Sequence, residues 1–110
     1  MFGKLSELHS MMKQASEIGK QMKKLHAELA DRTVEASVGA GMVTVTANGR
    51  GELISVTIDP ELMKPEERET LQELMLSAVN EAGRKARELA KAEMAKLTGG
   101  IDVPGILGIS

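Results

Sequence analysis

From Val34 to Pro60 the chain alternates apolar and polar residues with a period of two, and this constrains the fold more than any other feature. Val34, Ala36 and Val38, then Val43, Val45 and Ala47, then Ile54, Val56 and Ile58 fall on one side. Glu35, Ser37, Thr44, Thr46, Ser55 and Thr57 fall on the other. That is the period of a strand, whose successive side chains point to opposite faces. Two turn signals cut the stretch into three: Gly39-Ala40-Gly41, and Asn48-Gly49 followed by Arg50-Gly51. Asn-Gly between alternating apolar residues predicts a type I′ hairpin turn, which needs positive φ at both central positions. The reading is a three-stranded antiparallel meander with one apolar and one hydroxyl-rich face. Helix must cover the apolar face.

Both flanks supply helix. Leu8, Met11, Ala15, Ile18, Met22, Leu25 and Leu29 step by three and four, a narrow apolar seam on a helix from about Gly3 to Ala30. Leu5 and Met12 widen the seam, and Gly19 sits in mid-helix. After the meander, Asp59-Pro60-Glu61 reads as an N-cap, a proline at the first helical position and an acid at the positive helix end. This short turn ends before Pro65, which starts the last helix. Leu71, Met75, Ala78, Ala82, Ala86 and Leu89 continue that helix, Ala90, Met94 and Leu97 extend it, and Thr98-Gly99-Gly100 ends it. The fold class is therefore α+β, with element order α-β-β-β-α. Residues 1–100 form a single domain and 101–110 an irregular tail.

Length adds a further expectation. Helices of about 28 and 32 residues span roughly 42 and 48 Å, whereas a six-residue strand spans about 20 Å. The helices must overhang the sheet, and an apolar seam left in water calls for a partner. In a chain of 110 residues with a small core, that points to a homodimer with projecting helical arms.

Composition excludes several classes. With no cysteine there is no disulfide framework or thiolate metal site, and a reducing compartment fits. Phe2 is the only aromatic residue, which argues against base-stacking platforms for single strands or RNA. No secretory h-region or membrane-length apolar run is present, so the expected location is the cytoplasm, without membrane contact. Gly39-Ala40-Gly41 lacks the following Lys-Ser or Lys-Thr and feeds a strand, failing both nucleotide fingerprints. His9 and His26 stand too far apart to share a metal, and no nucleophile motif or served carboxylate pair is present. Neither an enzymatic activity nor a cofactor or metal is expected.

What remains is charge. Net charge is only −2, so any nucleic-acid role must come from segregation of charge. Lys13, Lys20, Lys23 and Lys24 lie opposite the first helix's seam, and Arg84, Arg87 and Lys91 lie on one side of the last. Two such rows could neutralise phosphates, although a merely solvated face is the commoner meaning of the pattern alone.

Several motifs resemble the YbaB/EbfC nucleoid-associated proteins of bacteria. They are MFGK at the start, MKQA from Met12 to Ala15, GAGMVTVTANGRGELISVTIDPEL from Gly39 to Leu62, VNEA from Val79 to Ala82, and the glycine–proline tail. The resemblance implies a tweezer-like homodimer that binds double-stranded DNA with limited sequence preference, in the cytoplasm and nucleoid, and affects nucleoid organisation and gene expression. It implies no enzymatic activity or cofactor. The chain departs from the family in LSELHS, Leu5 to Ser10, where a glycine-rich opening is common, and in Ala40, where glycine is frequent. The seven basic residues named above become the expected DNA contacts. The alternative is a helical protein–protein adaptor acting near recombination or replication factors.

Overall fold

The computed structural model describes residues 2–97. Helix α1 (Phe2–Leu29) leads into strands β1 (Thr33–Val38), β2 (Val43–Asn48) and β3 (Leu53–Ile58). Two single 3-10 turns, Pro60–Leu62 and Pro65–Glu67, then lead into helix α2 (Arg68–Leu97). The α-β-β-β-α order is that expected. The predicted helix stop at Thr98-Gly99-Gly100 and the tail at 101–110 lie outside the described residues.

The strands form an antiparallel meander in the order β1-β2-β3. Ala36 stands opposite Val45, and Val45 opposite Val56, so the apolar sets of all three strands share one face. Helix α2 lies across β1 and β2 and inserts Ala78 and Ala82 against Ala36, Val43, Val45 and Ala47. Small residues on both sides let the helix backbone come close to the sheet. Leu62, carried by the first 3-10 turn, closes the end of this core. Asp59 caps that turn by accepting from the Glu61 backbone N–H at 2.8 Å, and Pro60 starts it.

The predicted cover is incomplete. Val56 points to the core face yet is 42% exposed, because α2 does not extend over β3. The register also shifts between Thr46 and Ala47, so that Leu53, not Ile54, stands opposite Ala47. Ile54 is the extra residue of a bulge and leaves the inward set assigned to it from alternation alone.

The turns divide their chemistry differently from the sequence reading. In Gly39-Ala40-Gly41-Met42, the Met42 N–H donates to the Gly39 carbonyl, and Ala40 and Gly41 both have positive φ, +55° and +88°. The type I′ signature thus falls here, with alanine in a left-handed conformation. Gly39 is also at φ +61°, and a Cβ there would lie 2.9 Å from Leu74 Cδ1. At Asn48-Gly49, φ is not positive; Gly51 takes that role at +84°. The loop has three residues, Gly49, Arg50 and Gly51, closed by Asn48 N–H to the Glu52 carbonyl and by Gly51 N–H to the Asn48 carbonyl. A turn followed by a left-handed glycine is the usual three-residue hairpin solution. The buried Asn48 side chain completes it, its Oδ1 accepting from the backbone N–H groups of Arg50 and Glu52, both at 3.0 Å.

Gly49 joins the turn to the arm. Its N–H donates to both the Leu29 and Arg32 carbonyls, at 2.9 and 2.8 Å, so it binds the last turn of α1. A Cβ at this position would lie 2.7 Å from Leu29 Cδ2 and 2.9 Å from the Leu29 carbonyl oxygen. Only glycine fits.

Beyond that junction α1 projects. Leu25 and Leu29 are buried, but Leu8, Met11 and Ile18 of the same seam are more than half exposed. The described chain extends 77 Å along its longest axis, with a radius of gyration of 20.3 Å. A compact domain of about 100 residues would have roughly 13 Å.

Candidate nucleic-acid interface

Three lysines of the α1 row, Lys13, Lys20 and Lys24, recur at intervals of seven and four and so share one side of the helix. Lys23 lies beside them. All four are exposed, and none makes an ion pair among the described residues. The row faces away from the seam because 100° per residue puts Lys20 nearly opposite Ile18 and Leu25. Its charges are therefore free to meet a polyanion without disturbing the fold.

The α2 row is less uniform. Arg84, Arg87 and Lys91 all turn away from the buried Ala78, Ala82 and Ala86 stripe and are exposed. Arg84 is held between two carboxylates, with Glu81 at 2.5 Å and Glu88 at 2.6 Å. Its hydrogen bonds keep the Glu81 carboxyl below the usual carboxylate range, and Glu81 in turn raises the guanidinium further above its already high value. Arg84 can meet a phosphate only by exchanging these partners. Arg87 lies along the helix surface, with Nη1 3.3 Å from where a Cβ of Gly83 would be. Arg87 and Lys91 make no ion pair among the described residues.

Three further cations, absent from the predicted rows, are tied into the fold or its turn. Lys85 Nζ donates to the Glu35 carbonyl at 2.8 Å and fastens α2 to β1. Arg32, just after α1, reaches Glu93 of α2 at 3.1 Å. Glu93 also accepts from Lys96, and these two hydrogen bonds, Lys96 first, hold its carboxyl low. Arg50 sits on the β2–β3 turn. The signal for it lay in the turn motif, which was read for backbone shape alone. Among the described residues, no group of three His, Asp or Glu side chains is placed to hold a metal ion, and no helix is long and apolar enough to cross a membrane.

A three-stranded meander backed by one helix and rooted to a second, projecting helix, whose lysine row makes no ion pair among the described residues, defines a small α+β protein with a long basic arm. The chain belongs to the YbaB/EbfC DNA-binding family, whose sequence profile matches residues 3–101. A nucleoid-associated protein of Moorella thermoacetica is 50% identical over 101 residues, covering 92% of this chain and 97% of that one. Another, from Thermoanaerobacter sp. (strain X514), is 48% identical over 99 residues, covering 90% and 89%. Among solved structures, an uncharacterized protein from Helicobacter pylori superposes with a TM-score of 0.74 at 28% identity, over 81% of this chain and 94% of that one.

Proposed function

We propose that the protein is a homodimer that binds double-stranded DNA in the bacterial nucleoid, mainly through phosphate contacts from the basic rows of its arms. One observation carries the reading: in a chain of a DNA-binding family, the lysines of the projecting arm are exposed and make no ion pair among the described residues. Phosphate contacts position a protein on the duplex without reading bases, so the grip is sequence-tolerant. Lys13, Lys20, Lys23 and Lys24 form its principal part. Arg87 and Lys91 add to it, and Arg84 contributes least because Glu81 and Glu88 compete for it. The homodimer supplies each row twice, and a second copy covers the apolar seam of α1 and the open face of β3.

Titration of duplex DNA at two salt concentrations tests this. Affinity falls with salt at a log–log slope of about −0.9 per phosphate neutralised. Lys20→Glu combined with Lys24→Glu weakens binding on every duplex and flattens the slope, while the protein stays folded. Wild-type binding by a folded double variant would overturn the reading. It would favour a protein–protein adaptor near recombination or replication factors, for which the exposed Leu8, Met11 and Ile18 are suitable contact residues.

A further inference from the structure

The β2–β3 turn places Arg50 against the base of the arm. A cleft of about 530 Å³ opens between the end of α1, the turn and the last part of α2. The buried or half-buried Met22, Leu29 and Met94 line it, as do three exposed nitrogen-bearing side chains, Lys23, His26 and Arg50. Lys23 already belongs to the arm's row. Arg50 does not, yet it is fixed relative to that row by an unusually complete set of bonds. The Arg50 backbone N–H donates to Asn48 Oδ1, and the neighbouring Gly49 N–H is bonded to the last carbonyl of α1. The guanidinium itself is weakly engaged, 3.7 Å from Glu52 with both side chains exposed. Glu52 already accepts from Asn48 Nδ2 at 3.0 Å. Glu28, the acid in the last turn of α1, lines a different cleft with Lys24, Glu93 and Lys96.

We propose that Arg50, together with Lys23 and His26, forms a phosphate-binding notch at the root of the arm, extending the basic row from α1 onto the sheet. This rests on the DNA-binding reading above. Arg50 supplies a planar guanidinium suited to two phosphate oxygens, Lys23 a point charge, and His26 a ring N–H. Because the turn is bonded to α1, the notch and the arm move as one body. A duplex lying along the arm therefore meets the sheet end at a set distance from Lys20 and Lys24, which makes the root a fixed stop rather than a loose end.

The test uses duplex titrations across a salt series with wild type, Arg50→Ala and Glu52→Gln. Arg50→Ala leaves the backbone bonds of the turn intact and is expected to reduce the salt slope by about 0.9, one phosphate. The weakening should be alike on unrelated duplexes. Glu52→Gln keeps an oxygen for Asn48 while removing the competing charge, and is expected to tighten binding and steepen the dependence on salt. Should wild type bind no duplex, the DNA reading itself fails. Where wild type binds but both variants match it in slope and affinity within twofold, the notch alone is overturned. Unchanged DNA binding with altered sedimentation of Arg50→Ala would assign the cleft to contact between copies and likewise overturn it.

Discussion

Gly49 shows what a single missing methyl group does here. Its neighbours are the Leu29 side chain and the Leu29 carbonyl, and a backbone oxygen cannot swing aside. Gly49→Ala should therefore cost about 1–3 kcal/mol, the range for forced overpacking. Gly19 is the contrast, since a Cβ there meets nothing within 4 Å. In a helix interior Gly19→Ala should stabilise by up to about 1 kcal/mol. Chemical denaturation of both variants checks the pair, and equal midpoints would contradict the geometry. The dipeptide Asn48-Gly49 was legible as a turn, but not for the reason its chemistry suggests. Asparagine acts through its side chain and glycine through close approach, whereas Gly51 carries the positive φ. Arg84 teaches a similar lesson. Glu81 and Glu88, three and four residues away, are visible in the sequence, but that both close on Arg84 together is a property of the folded helix.

At the scale of elements, α2 does the covering and α1 the reaching. The alanines of α2 were readable as a close-packing stripe, and Ala78, Ala82 and Ala86 are indeed its buried residues. The limits of that cover were not readable, because alternation in β3 is the same whether its inner face meets this helix or another chain. The bulge at Ile54 was hidden for a related reason: an extra residue leaves the apolar pattern nearly unchanged while moving the register. Where α1 passes into β1, Arg32 links to Glu93, and Lys96 shares that carboxylate. A carboxyl held low when folded stabilises fully above the ordinary carboxylate range and loses that contribution as pH falls through its lowered value. Melting temperature should thus fall on acidification below about pH 4, with Glu81 and Glu93 contributing in the same direction. Glu93→Gln should lower it slightly at pH 7 and make the acid-side fall shallower. These pairs are exposed, so the change is small. A variant with an unchanged pH profile would remove Glu93 from the account.

For the molecule as a whole, the exposed seam is the decisive quantity. Ile18 is 53% exposed in the single chain, so Ile18→Asp would be mild if the arm stood alone. If a second copy covers the seam, an unpartnered carboxylate is buried there at a cost of several kcal/mol, unless it stays neutral or reaches water. Ile18→Asp should then lower the melting temperature and shift sedimentation towards monomer, while Lys20→Asp on the opposite side should do neither. Equal melting temperatures for the two variants would mean that the seam has no partner. The seam was legible from its spacing of three and four. The identity of its cover was not, since a heptad pattern records only that something apolar lies opposite.

The way α1 is rooted has a mechanical consequence. It is held at Leu25, Leu29 and the Gly49 bonds, while towards its other end Leu5, Leu8, Met11, Met12 and Ile18 are more than half exposed among the described residues, which makes it a cantilever. From Leu25 to its tip the lever is about 35 Å long, so tilting the root by about five degrees carries the tip roughly 3 Å. That is close to the rise of one base pair, about 3.4 Å. In the proposed homodimer, two opposed levers of this kind would accommodate a groove about one step wider or narrower. In the proposed DNA-bound dimer, arms with that much travel would accept many duplex shapes, and the root from which each swings is fastened by the two Gly49 N–H bonds.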